Sequence, residues 1–150
     1  MLETILITND PRLAQDAQIA GVSRVMVDLE TIGKKERQAS RKTFITNHRP
    51  QDIRIIREAA KDMKLIVRIN PWHDGSKAEI ETAVQGGADF IMLPMITQMD
   101  QIQRCAEAIQ NRASFYPLLE TAFCFSEIQS IAALESYEEA FIGLNDLHLS

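Results

Sequence analysis

Short apolar runs rich in β-branched residues alternate with longer amphipathic stretches along almost the whole chain, the pattern of a parallel sheet built from repeated β-α units. Six runs read as strands: Thr4–Ile7, Arg24–Val27, Leu65–Ile69, Phe90–Leu93, Phe115–Leu119 and Ala140–Gly143. They carry little polar alternation, as expected of strands covered on both faces.

The stretches between them are punctuated as helices. Asp10-Pro11 places an N-cap before a proline at the first helical position, and Gly21 closes that helix. Pro50-Gln51-Asp52 opens a second helix, and Ser76-Lys77-Ala78-Glu79 has the form of a capping box with Gly86-Gly87 as its stop. Thr97–Asp100 starts a fourth, and Ser126-Glu127 starts the regular part of a fifth. The segment from Glu30 to Arg49 stands apart: it is long, polar and basic, and it follows the second strand, which puts it at the strands' C-terminal edge.

Two architectures accommodate such units, an open doubly wound sheet and a closed eight-stranded barrel of about 250 residues. The dinucleotide fingerprint G-x-G-x-x-G is missing after the first strand, which weakens the first. The reading is therefore α/β, residues 1–150 forming a single domain that supplies about the first six β/α units of a (β/α)8 barrel, its N-terminal portion.

Composition narrows the partners. With 45% hydrophobic residues in 150, the chain can bury a core, and a net charge of −5 without a Lys/Arg-rich block argues against nucleic acid and anionic membrane. Lacking an apolar run of about 18 residues and a secretory pattern at Met1-Leu2-Glu3-Thr4, it reads as a cytoplasmic protein. Cys105 and Cys124 fit neither a metal motif nor a disulfide framework, and read as reduced packing residues.

The candidate chemistry lies just past the strand ends: Asn9-Asp10, Asp28 and Glu30, Arg68 and Asn70, Pro94, Glu120, and Asn145-Asp146. In a barrel these positions converge on one rim, where such folds keep their reacting groups. Glu120 and Asp146 end adjacent strands, so their carboxylates can share a cation; hard oxygen ligands suit Mg²⁺ or Mn²⁺. A helix cap and an ordinary loop acid are the alternatives. Arg68 interrupts an apolar strand and needs an anion, either a neighbouring carboxylate or a substrate. Asp28 and Glu30 point the same way at period 2, as an acid pair or as partners for Arg68 or Lys34. His48 titrates near neutrality and is a candidate proton carrier, the alternative being a solvated loop residue; His73 and His148 are weaker candidates.

Five segments, in order and at matching intervals, resemble the HpcH/HpaI aldolase and citrate lyase β-subunit family of phosphoenolpyruvate-superfamily barrels. They are Gly21–Glu30, Val67–Asn70, Gly86–Met95, Leu118–Thr121 and Phe141–Leu147. The resemblance implies that Glu120 and Asp146 hold the metal and that Arg68 binds substrate and stabilises an enolate. It implies a small-molecule partner, a 2-oxo acid or an acyl-CoA, and a homo-oligomer. The expected activity is a divalent-metal aldolase acting on a 4-hydroxy-2-oxo acid. A citryl-CoA or malyl-CoA type lyase and a metal- and oxo-acid-binding module without turnover are the alternatives. The chain departs from the aldolase branch at Asp28-Leu29-Glu30-Thr31, where that branch carries Asp-Gly-Glu-His. Asp28-Leu29-Glu30 followed by the basic Gly33–Arg37 looks more like the lyase branch, whereas His48-Arg49-Pro50 resembles the aldolase histidine displaced by an insertion.

Overall fold

A computed structural model describes residues 3–34 and 47–147, with the backbone alone for Asn145 and Asp146. The expected features at Lys35–Arg37, at His148 and at the Asp146 side chain lie outside the described residues. Six strands form one parallel sheet in sequential order: β1 (Ile5–Ile7), β2 (Arg24–Asp28), β3 (Lys64–Arg68), β4 (Phe90–Leu93), β5 (Ser114–Leu119) and β6 (Phe141–Ile142). A doubly wound sheet reverses direction at a switch point, and this order never does.

The helices are α1 (Pro11–Ile19), α2 (Pro50–Ala59), α3 (Ser76–Gln85), α4 (Met99–Ile109), α5 (Ala122–Ser126), α6 (Ile128–Ala132) and the short α7 (Leu144–Leu147). Local chemistry sets their starts. The Asp10 carboxylate accepts from the N–H groups of Arg12 at 2.8 Å and Leu13 at 3.4 Å, and Pro11 occupies the first helical position. Gly21, at φ +85°, makes the left-handed exit from α1 towards β2.

Two helix starts differ from the sequence reading. Ser76–Glu79 does not form a capping box: the Ser76 hydroxyl accepts from the N–H of His73, and the Glu79 carboxylate reaches back to the end of β3. The helix after β5 begins at Ala122 rather than Ser126, because the Thr121 hydroxyl accepts from the N–H of Cys124 and caps it, and it breaks at Glu127 into α5 and α6.

Period-2 alternation divides each strand between two apolar layers. Val25, Val27, Leu65, Val67, Ile91, Leu93 and Phe115 lie under the helices in the main core, together with Ile53, Ile56, Ile80 and Ile102. Met26, Ile66, Met92, Tyr116 and Leu118 point the other way and form a second cluster. The sheet is curled around that second cluster. Four strand spacings separate β2 from β6, about 19 Å across a flat sheet. Yet the Arg24 guanidinium donates to both carboxylate oxygens of Glu139, just before β6, at 2.9 and 3.1 Å. It also reaches Glu3 before β1 at 2.5 Å and sits over the rings of Phe90 and Tyr116. One arginine thus joins the approaches to the first and last strands across the interior of a half-closed (β/α)8-type barrel.

No helix among the described residues is long and apolar enough to cross a membrane. Cys105 and Cys124 are buried, and burial pushes the Cys105 thiol up to about 12. Replacing Arg24 with Met keeps most of the buried stem but removes the charged fork, and should lower stability by about 2 kcal/mol. Urea unfolding followed by circular dichroism measures it, and an unchanged midpoint would mean that the arginine does not brace the curl.

Candidate active site

At the C-terminal ends of β2 and β3, the last residues of the two strands face each other: Asp28 pairs in register with Arg68. Arg68 Nε donates to Asp28 Oδ1 at 2.8 Å and Nη2 to Oδ2 at 2.7 Å, a bidentate fork. Lys34 closes on the same Oδ2 from the segment beyond β2. Asp28 is only 3% exposed and Lys34 6%, so the three charges form a compact buried cluster. Glu30, also buried, places Oε2 3.6 Å from Arg68 Nε.

Burial alone would raise the Asp28 carboxyl, but the hydrogen bonds and charges of Arg68 and then Lys34 overcome it and hold the group far below the usual carboxylate range. Burial likewise opposes the charge on Arg68. The hydrogen bonds and charge of Asp28, followed by Glu30 and Glu120, reverse that and raise it above the ordinary arginine value. Arg68 is therefore a fixed cation and Asp28 a fixed anion.

Next along the rim, Asn70 bonds to the protein. Its Oδ1 accepts from the N–H groups of Thr31 at 2.8 Å and Ile32 at 2.9 Å, while its Nδ2 donates to Glu79 at 2.7 Å. Glu79 also accepts from the backbone of Asn70 and lies 3.0 Å from His73 Nε2. Asn70 thus fixes the chain leaving β2, the segment that carries Lys34, and His73 belongs to its outer support. Pro94 is buried directly after β4.

Glu120 follows β5 and is 4% exposed. Its Oε1 accepts from the N–H of Met95 at 3.0 Å, and Met95 is held at φ +52°, a left-handed conformation uncommon outside glycine. On its other side lies Gly143: a β-carbon there would come within 2.9 Å of both the Glu120 β-carbon and Oε2. The loop after β4 and the glycine after β6 together confine a single buried carboxylate. Its hard oxygen donors suit a divalent cation as one ligand. Among the described residues no group of three or more His, Cys, Asp or Glu is arranged around one ion.

His48 precedes α2, and its Nδ1 accepts from the backbone N–H of Asp28 at 2.8 Å. Asp52 fixes the approach, accepting from the N–H of Arg49 at 2.8 Å and from Asn9 Nδ2 at 3.0 Å. The fold therefore brings Asp28, Glu30, Arg68 and His48 together, with Glu120 within electrostatic reach of Arg68. Lys34 is the partner that sequence reasoning did not single out as a site residue. The sequence offers it only as a salt-bridge partner for Asp28 or Glu30, and that is the contact with Asp28 it makes.

Comparison with known proteins places these features in context. The family model described as HpcH/HpaI aldolase/citrate lyase matches residues 5–150. No curated protein matches the chain. Among solved structures, the citrate synthase SbnG is 15% identical, with a TM-score of 0.74 over 97% of this chain and 62% of its own. An HpcH/HpaI aldolase/citrate lyase family protein from Burkholderia cenocepacia J2315 is 16% identical, with a TM-score of 0.75 over 97% of this chain and 65% of its own. Macrophomate synthase is 14% identical, with a TM-score of 0.68 over 98% and 56%. The chain thus spans about three-fifths of the length of these proteins, and the likeness is one of fold.

Asp28 is ionised in the folded chain well below the pH at which it protonates when unfolded, about 4. Its contribution to stability is therefore complete above that value and is lost as pH falls through and below it. Asp28→Asn should cost about 3 kcal/mol at neutral pH, because it removes the carboxylate charge that two buried cations share, and should flatten the acid limb of stability. Chemical unfolding of both proteins between pH 7 and pH 3 measures this. Parallel acid limbs would contradict the assignment.

Proposed function

Because the chain belongs to the HpcH/HpaI aldolase/citrate lyase family, we propose that it cleaves or forms a carbon–carbon bond of a 4-hydroxy-2-oxo acid through a pyruvate-type enolate, with Mg²⁺ or Mn²⁺. The observation that carries this reading is the fixed Arg68 cation beside the buried Glu120 carboxylate at one strand-end rim.

In the cleavage direction the 4-hydroxyl gives up its proton, the C3–C4 bond breaks to leave an aldehyde, and the electron pair becomes the enolate of pyruvate, which is then protonated at C3. Arg68 supplies permanent positive charge to the developing enolate, and Asp28, gripping it through two parallel bonds, fixes the direction in which the guanidinium points. Asp28 itself makes a poor base, since two cations hold it ionised. Among the described residues, Glu30 and His48 are candidates to carry the hydroxyl proton. Glu120 would hold the metal together with Asp146, whose side chain lies outside the described residues. When bound, such a metal supplies Lewis-acid polarisation of the 2-oxo acid's carboxylate and keto oxygens.

A second reading, a citryl-CoA or malyl-CoA type lyase, is favoured by Asp28-Leu29-Glu30 in line and by the buried Lys34 behind it. Assays separate the two. Pyruvate release from 4-hydroxy-2-oxo acids, abolished by EDTA and restored by Mg²⁺ or Mn²⁺, is the expected result. Cleavage of CoA thioesters alone would select the lyase, and turnover indifferent to chelation would remove the metal from the account. Gly143→Ala, which crowds Glu120, should weaken Mn²⁺ binding about tenfold or more; titration of the folded variant followed by electron paramagnetic resonance reads it.

A further inference from the structure

The chain leaving β4 is tied to the end of β5 at two consecutive points. The N–H of Met95 donates to Glu120 Oε1 at 3.0 Å, and the Thr121 hydroxyl donates to the carbonyl of Ile96. Adjacent residues of one segment thus hold adjacent residues of the other; Glu120, Thr121 and Ile96 are buried and Met95 is half-buried.

Two peptide planes are fixed in this way, the one before Met95 and the one after Ile96. Only the φ and ψ angles of these two residues lie between the planes, so holding the second limits where the first can point. Met95 needs that restraint. At φ +52° it sits in the left-handed region, which a residue with a β-carbon disfavours by roughly tenfold. Released, it would turn to a right-handed or extended form and carry its N–H away from Glu120.

Thr121 is equipped to supply the restraint. Its single hydroxyl proton has two acceptors in reach, the Ile96 carbonyl and Cys124 Sγ at 3.2 Å, and the carbonyl is much the stronger. Its lone pairs meanwhile accept from the N–H of Cys124 at 3.3 Å, which anchors the side chain to the first turn of α5. A buried carbonyl needs a donor. The Cys124 thiol, a weak donor, lies 3.6 Å from the Ile96 oxygen, so that carbonyl takes its stronger hydrogen bond from Thr121.

We infer that Thr121 is a positioning residue for Glu120: by gripping the Ile96 carbonyl it keeps Met95 left-handed, so that the Met95 N–H fixes the carboxylate in the orientation that receives the metal. The inference deepens the metal-dependent reading and rests on it for what Glu120 binds. Thr121 acts through two backbone groups and needs no contact with substrate or ion.

Two readouts on the whole protein test it, one of them without metal. Amide hydrogen exchange of nitrogen-15 methionine-labelled protein, with the Met95 signal identified by its loss in Met95→Gly, should be at least about tenfold faster at Met95 in metal-free Thr121→Val than in the native chain. Thr121→Ser, which keeps the hydroxyl, should exchange at close to the native rate. Manganese titration followed by electron paramagnetic resonance supplies the second readout. Thr121→Val should bind Mn²⁺ about tenfold more weakly and Thr121→Ser within about threefold of native. Adding Met95→Gly to Thr121→Val should recover most of the loss, since glycine takes the left-handed form without restraint. Loss of the α5 cap alone would weaken the fold of Thr121→Val but leave glycine nothing to rescue. Thr121→Ala, which adds no bulk, replaces the valine variant if that one does not fold. Unchanged exchange at Met95 on losing the hydroxyl, or a loss of affinity that Met95→Gly does not recover, would overturn the inference. Native protein that binds no Mn²⁺ would defeat the metal reading and the purpose of the clamp with it, while the exchange rates would still decide whether Thr121 holds Met95.

Discussion

The fork between Arg68 and Asp28 is the interaction around which the rim is organised. It joins the last paired residues of two adjacent strands, takes a guanidinium off the apolar interior and gives it one direction. Lys34, Glu30 and Glu120 are arrayed about it with alternating sign, so that each charge of the pair has a further neighbour of opposite sign. The same cluster separates roles: a carboxylate held by two cations serves as an anchor, and a guanidinium held by a carboxylate remains positive at any working pH.

Supports of a different kind surround that pair. Asn70 and Glu79 hold the chain leaving β2, the N–H of the left-handed Met95 holds Glu120, and the imidazole of His48 completes the ladder where β1 stops short. Each satisfies a buried polar group and at the same time orients a side chain at the rim. Stability and positioning are therefore coupled, and a substitution at Asn70 or Asp52 would be felt at the site without touching it.

Much of this was legible in the sequence because strand ends are conspicuous there. The apolar runs ending in Asp28, Arg68 and Glu120 located β2, β3 and β5 to within a residue or two, and the parallel order brought those three side chains to one rim. What escaped depends on contacts between distant segments. Ser76–Glu79 reads as a capping box, but the long Glu79 side chain gains more from Asn70 and His73 than from its own helix start. Thr121, not Ser126, starts the helix after β5, since its hydroxyl can serve Cys124 and the carbonyl of Ile96 together. The His48 contact joins residues twenty positions apart, and no local spacing encodes it.

The central claim is that Arg68, aimed by Asp28, faces the same ligand as a metal held at Glu120. A crystal structure of the protein soaked with Mn²⁺ and oxalate, a stand-in for the pyruvate enolate, tests it most directly through the anomalous signal of manganese. The account predicts manganese bonded to a Glu120 oxygen and an oxalate oxygen within hydrogen-bond reach of the Arg68 guanidinium. Manganese bound elsewhere, or oxalate out of reach of Arg68, would contradict it.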